Sequence, residues 1–243
     1  MADATKIAIC NMKGGSGKST TCVLTALAYA SQGYKTLLAD FDPQGGTSVL
    51  SAGKDKTFKM FKTTTFLLMN EEVKPEHIFR MPLQLDLLPA NETLDRFSSS
   101  ITEYDIKDAM EQYEGQYDCI VLDCPPTMEG LTAAAVSYAN KVIVPTKTES
   151  PQDFRATQYS VKRLRKRRKK PGVLMLGYRE YPEENMGYHA TLCREFQEEF
   201  GADAIGYLPR SVRFLKAAAD TNKKWTKNAV EKTLKPIFDL TQF

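Results

Sequence analysis

Apolar, β-rich runs recur at Ile7–Cys10, Thr36–Ala39, Leu83–Leu88, Cys119–Leu122, Val142–Val144, Val173–Leu176 and Ala204–Leu208, with helical periodicity between most of them. Strands apolar on both faces need cover from both sides. The alternation therefore predicts an α/β fold, a mainly parallel twisted sheet with helices on both faces. Lys18 to Ser31 reads as one such helix, closed by Gly33 at its C-terminus. A chain of 243 residues suits one well-buried domain of this kind, expected to span 1–243. Ser51 to Met81 is the least legible stretch: Phe58, Phe61, Phe66 and Leu67 suggest a short helical excursion, but their spacing fits no period well.

In a parallel sheet, ligands gather beyond the carboxyl ends of the strands. Asp40–Gly46, Asp123–Thr127 and Pro145–Glu149 each follow an expected strand directly, so these three loops should converge on the segment after the first strand. That segment is Asn11-Met12-Lys13-Gly14-Gly15-Ser16-Gly17-Lys18-Ser19-Thr20. Gly14, Gly15 and Gly17 let the backbone curl with its N–H groups inward, and the following helix N-terminus favours an anion. Lys18 would neutralise the β- and γ-phosphates of a nucleotide, and the Ser19 hydroxyl would be a ligand for Mg²⁺. The usual phosphate loop has a glycine where Met12 stands, and it needs one lysine where this loop has two.

Lys-Gly-Gly-x-Gly-Lys-Ser resembles the deviant Walker A loop of the ParA/MinD family of ATPases, most closely its small Soj-like partition members. The resemblance implies that Lys13 reaches across a dimer interface to the partner's nucleotide, and that residues 13–20 bind ATP. Leu38-Ala39-Asp40-Phe41-Asp42-Pro43-Gln44-Gly45-Gly46 is similar to the family's Asp-x-Asp-Pro-Gln-Gly segment. By that likeness Asp42 orients the attacking water, while Asp40 supports magnesium-bound water or the loop itself. Cys119-Ile120-Val121-Leu122-Asp123-Cys124-Pro125-Pro126-Thr127 resembles the Walker B strand and second switch, with Asp123 holding magnesium through a water. Ser19, Asp40, Asp42 and Asp123 form the implied metal set. Catalysis falls to Lys13, Lys18 and Asp42, and Pro209-Arg210 resembles the segment lying near the adenine. Leu176 departs from the family, where Thr or Asn often stands.

Composition narrows the remaining options. No apolar stretch approaches the ~18 residues that span a bilayer, and no basic-then-apolar leader precedes the first strand, so a cytoplasmic protein is expected. Cys10, Cys22, Cys119, Cys124 and Cys193 are odd in number and scattered, which suits reduced, buried thiols. Neither they nor His77 and His189 have ligand spacing for a metal.

The net charge of +3 conceals a concentration. Lys162, Arg163, Arg165, Lys166, Arg167, Arg168, Lys169 and Lys170 are eight cations in nine residues; taking them from the 33 basic residues leaves 25 against 30 acidic, net −5. Phe154, Val161 and Leu164 share a helix face toward the core, and the cationic turns beyond should project into solvent until Pro171-Gly172 stop them. Such a cluster suits non-specific binding to DNA phosphates, with Lys216, Lys223 and Lys224 as further contacts; a solvated helix end and an anionic lipid surface are the alternatives. In the tail, Val230, Leu234, Ile237 and Phe238 form a stripe that Pro236 interrupts, which favours packing on the domain. By resemblance the chain is a nucleoid-associated partition ATPase. ATP and Mg²⁺ would close a homodimer on DNA, and a ParB-like centromere-binding or adaptor protein would stimulate hydrolysis and release. A MinD-like or cargo-positioning ATPase is the alternative.

Overall fold

The computed structural model describes residues 3–52, 77–90, 92–97, 101–147, 150–178, 188–209, 232 and 234–243. Phe58, Phe61, Phe66, Leu67, Arg210, Lys216, Lys223, Lys224 and Val230 lie outside them. The strands are β1 (Thr5–Ile9), β2 (Thr36–Asp40), β3 (Phe79–Met81), β4 (Leu85–Leu88), β5 (Cys119–Asp123), β6 (Lys141–Lys147), β7 (Pro171–Tyr178) and β8 (Ala204–Pro209). The helices are α1 (Lys18–Ser31), α2 (Gly46–Ala52), α3 (Glu103–Glu111), α4 (Leu131–Tyr138), α5 (Pro151–Lys166), α6 (Tyr188–Phe200) and α7 (Lys235–Leu240).

The strands form one sheet in the order β3-β4-β2-β5-β1-β6-β7-β8, parallel except for β3. Its two faces bury separate cores, as expected for strands apolar on both sides. On one, Ile106, Met110, Leu131, Ala134 and Leu164 of α3, α4 and α5 cover Ala8, Leu37, Ile120 and Val144. On the other, Val23 and Leu27 of α1 join Leu234 and Ile237 against Ile7, Leu38, Val121 and Ile143. β1 lies between β5 and β6, which puts its carboxyl end and the glycine loop at the centre of the sheet's upper edge.

Several expected boundaries move. The expected strand from Leu83 begins at Leu85, because Leu83 and Gln84 adopt φ of 63° and 56° in the turn from β3. β3 itself has only three residues, too few for a pattern to register. Pro145 is not in a loop after β6 but inside the strand. Its carbonyl accepts from Asn11 Nδ2 at 2.9 Å, so its backbone faces past the end of β1, where a missing N–H costs no ladder bond.

The basic run is corrected as well. Helix α5 ends at Lys166, Arg168 has φ of 58°, and Pro171-Gly172 open β7 rather than stopping a helix. The last cations thus ride on a turn. Pro236 likewise lies in the first turn of α7, where proline is tolerated, and interrupts nothing among the described residues. Leu234 and Ile237 are buried there, and the Phe238 ring meets Tyr29 of α1 at 4.9 Å.

Candidate functional site

The glycine loop leaves β1 and is tied to α5 before it reaches α1. Asn11 Nδ2 bonds Thr157 Oγ1 at 3.2 Å, the Met12 N–H donates to Ser160 Oγ at 3.1 Å, and Asn11 Oδ1 accepts from the Lys13 N–H at 3.0 Å. Met12 is tolerated because its φ is negative; the left-handed turns fall on Gly15 and Gly17. Gly17, at φ of 92°, has a further reason to lack a side chain, since a Cβ would stand 2.3 Å from Leu176 Cδ1. Leu176, the departure noted in β7, packs against the phosphate loop. Ser16 and Lys18 are buried, Ser19 and Thr20 half-buried, and Gly14 and Gly15 open to solvent. The Ser16 hydroxyl is buried without a hydrogen-bond partner among the described residues.

The two lysines point to different places. Lys18, 6% exposed, sends its ammonium to the Lys13 carbonyl at 3.3 Å and lies near enough to Asp123 to stabilise its charge. Lys13 turns away onto the start of α5, where its Nζ meets Asp153 Oδ1 at 2.5 Å and Ser150 Oγ at 3.3 Å. Ser150 caps α5, Pro151 follows in the first turn, and Asp153 also accepts from the Ser150 hydroxyl at 2.8 Å.

The acidic residues meet at the ends of β2 and β5, where Asp40 and Asp123 are register partners. Asp40 is committed to its own loop. Its Oδ2 accepts from the Ser48 amide and hydroxyl at 2.8 and 2.7 Å, and its Oδ1 accepts from the Asp42 amide at 3.1 Å. Of the two roles open to Asp40, that geometry fits support of the loop. Asp42 is buried and accepts from the Gln44 amide at 3.0 Å. Burial and then the neighbouring Asp123 push the Asp40 carboxyl well above the usual range, against the Ser48 bonds. Asp123 is also raised, by burial first, while Thr47, Ser19 and Lys18 counteract and Asp42 adds to the rise.

These donors fit a magnesium ion held with a nucleotide. Asp123 Oδ1 is buried with no hydrogen-bond partner among the described residues, while Oδ2 takes the Thr47 hydroxyl at 2.6 Å. Ser19 lies close enough to favour the charged form of the same carboxylate, and a Cβ at Gly46 would come within 2.7 Å of Ser19 Oγ, so the glycine keeps that hydroxyl accessible. Hard oxygens from a hydroxyl and a carboxylate are the donors Mg²⁺ takes. The backbone of Pro209 ends β8; its side chain and Arg210 are not among the described residues.

The basic run divides into bound and free cations. Arg163 and Arg167 both reach Glu129, the latter at 3.7 Å, and Arg165 pairs with Asp203. Lys169 donates to the carbonyls of Ser137 and Ala139 at 3.2 and 2.6 Å, capping α4, and burial lowers its pKa. Lys162, Lys166, Arg168 and Lys170 are exposed and have no ion-pair partner among the described residues. Sequence reasoning missed Asp153, Ser150, Thr47, Ser48 and Glu129. Ser150-Pro151-x-Asp153 was readable as a helix start; the contacts it makes with Lys13 were not.

A family model described as AAA domain matches residues 4–168. The chromosome partitioning protein ParA of Caulobacter vibrioides is 34% identical over 153 residues, covering 59% of this chain and 56% of the relative. Among solved structures, a candidate plasmid partition protein of Borrelia burgdorferi bound to AMPPNP superposes with a TM-score of 0.76 at 21% identity, covering 98% of each chain. Cobyrinic acid a,c-diamide synthase of Mycobacterium smegmatis, with bound ADP and magnesium, gives 0.67 at 25% identity, covering 88% of this chain and 92% of the other.

Proposed function

This chain belongs to the AAA domain family and is of the ParA/MinD type, and from that premise we propose that it is a nucleotide-switched partition ATPase. It closes as a homodimer around ATP, holds DNA without sequence preference, and lets go on hydrolysis. The supporting observation is the division of labour in the glycine loop: Lys18 faces Asp123 inside the site, while Lys13 is turned out onto α5.

In this reading the backbone of Gly14 to Thr20 cradles the phosphates, Lys18 neutralises them, and Asp42 orients the water that attacks the γ-phosphate. Ser19 and Asp123 would hold magnesium, which when bound spreads the phosphates' charge; Asp40 keeps the Asp42 loop in shape. Pro209 and Arg210 are assigned to the base by the sequence resemblance alone. Lys13 exchanges Asp153 for the phosphates of the partner subunit's nucleotide. Because Asn11, Met12 and Lys13 all bond to α5, whose far end begins the basic run, nucleotide and DNA act on opposite ends of one rigid element. Lys162, Lys166, Arg168 and Lys170 make the first phosphate contacts, with Lys216 assigned as a further one from the sequence, and a ParB-like or adaptor protein speeds hydrolysis. The protein accordingly works on the nucleoid.

The fold is shared with a cobyrinic acid diamide synthase, so the fold does not choose among these activities, and the partition reading rests on Lys13 and the basic run. A MinD-like membrane role has less support, because Leu234 and Ile237 of the tail are buried. Co-sedimentation with random-sequence duplex DNA and with anionic liposomes tests the choice. DNA retention with ATP and magnesium but not with ADP is expected; retention on liposomes alone would overturn the partition reading.

A further inference from the structure

The loop that follows the Walker B carboxylate also holds the basic surface. Glu129 stands six residues beyond Asp123, on the segment 124–130 that joins β5 to α4. Its side chain is 64% exposed, and each of its carboxylate oxygens faces an arginine of the basic run: Oε1 meets Arg163 Nη2, and Oε2 lies 3.7 Å from Arg167 Nη2. The loop between is short and braced. Pro125 and Pro126 restrict its first half, the Thr132 hydroxyl donates to the Pro125 carbonyl at 3.1 Å, and the Glu129 carbonyl accepts from the Thr127 hydroxyl at 3.1 Å and the Thr132 amide at 3.2 Å.

We propose that Glu129 gates the basic surface, occupying Arg163 and Arg167 when the site lacks a γ-phosphate and releasing them when the loop rearranges around one. This rests on the reading of residues 162–170 as a DNA contact. Glu129 occupies Nη2 of both arginines, so a DNA phosphate must compete with its carboxylate for each, although both are partly exposed. Arg165 and Lys169 are held by groups outside this loop, so only Arg163 and Arg167 answer to it. Exposed ion pairs are weak, which lets a small loop movement exchange them. A stiff loop transmits the movement at Asp123 to Glu129 instead of absorbing it. Each phosphate contact steepens the dependence of log affinity on log salt by about 0.9, so two released arginines change that slope by roughly 2. Reciprocity then requires DNA to raise the affinity for ATP by the same factor that ATP raises affinity for DNA.

The test is random-duplex DNA binding by the wild type and Glu129→Gln across a salt series, nucleotide-free and with ATP and magnesium. The variant should bind about tenfold more tightly without nucleotide, with a slope steeper by roughly 2, and should match the wild type with ATP. The ratio between the two states therefore shrinks about tenfold. An equal gain in both states would reduce Glu129 to a background charge and overturn the gate, as would no gain in either. Arg163→Gln with Arg167→Gln should lose the tight ATP-state binding that Glu129→Gln keeps. If the wild type with ATP retains no DNA at all, the DNA reading falls, and the gate with it; DNA binding that ignores Glu129 removes the gate alone.

Discussion

The Lys13 ammonium lies 2.5 Å from Oδ1 of Asp153, a carboxylate 140 residues farther along the chain. The lysine of the phosphate loop that resemblance assigns to a partner subunit is thus occupied within its own chain. Asp153 side-chain exposure is 5% against 33% for Lys13, so the carboxylate is fixed and the lysine is the partner able to leave. In the proposed dimer Lys13 must leave this contact. Asp153→Asn keeps the hydrogen-bonding shape at the start of α5 and removes the charge, so ATP-dependent dimerisation should occur at several-fold lower protein concentration. Analytical ultracentrifugation with a non-hydrolysable ATP analogue measures it; an unchanged or weaker dimer would mean that Asp153 does not compete for Lys13.

Gly17 is the position at which the loop tolerates least. A side chain there would force φ of 92° on a non-glycine residue and drive a Cβ to 2.3 Å from Leu176 Cδ1. Left-handed backbone strain of about 1–3 kcal/mol is expected for Gly17→Ala. That lowers the melting temperature by roughly 2–12 °C for a chain of this size. Nucleotide binding should be lost with it. Adding Leu176→Ala removes the clash but not the backbone strain, so partial recovery is the expected outcome, measured by thermal unfolding and nucleotide titration.

Asp123 and Asp40 make stability depend on pH in a direction opposite to that of a salt-bridged carboxylate. Burial raises both carboxyls in the folded state. Below about pH 4 both folded and unfolded chains keep these protons. As pH rises, the unfolded chain releases them first, so stability falls until the folded carboxyls also ionise. Without nucleotide, Asp123→Asn should therefore show a shallower loss of stability between pH 4 and 8 and be at least as stable as the wild type at pH 8. Urea unfolding across that range measures the slope. The same variant should lose the gain in nucleotide affinity that magnesium gives the wild type.

Two neighbouring lysines in the basic run should behave differently. Lys169 caps α4 through the carbonyls of Ser137 and Ala139, whereas Lys166 is exposed with no ion-pair partner among the described residues. Lys169→Ala is expected to cost about 1 kcal/mol of stability, and Lys166→Ala almost none. For DNA binding the order reverses: Lys166→Ala should reduce the salt slope by about 0.9, and Lys169→Ala by less. Denaturant unfolding and a salt series on duplex DNA separate the two roles.

These contrasts mark where the sequence was legible. The β1–loop–α1 unit could be read because glycines punctuate it, Gly17 before the helix and Gly33 after it, and helix Lys18–Ser31 occupies its expected span. The parallel sheet was equally visible, since strands buried on both faces leave unbroken apolar runs. Pro145 was misread because proline usually ends a strand, and only the early end of β1 makes it harmless inside β6. The end of α5 was hidden because lysine and arginine are good helix formers and no stop signal precedes Arg168. Lys13 with Asp153, and Arg163 with Glu129, were beyond reach for another reason. Each joins residues distant in sequence, and spacing carries no information about which charges a fold brings together.

In the proposed function one phosphate loop carries a lysine for its own nucleotide and a lysine for the partner subunit's. Sedimentation equilibrium of Lys13→Ala in ATP and magnesium, beside a monomer-level ATP titration, tests it most directly. The expected result is a monomer that binds ATP as tightly as the wild-type monomer does, while the wild type becomes a dimer. A Lys13→Ala protein that still dimerises with ATP, or that loses ATP binding as a monomer, would contradict the account.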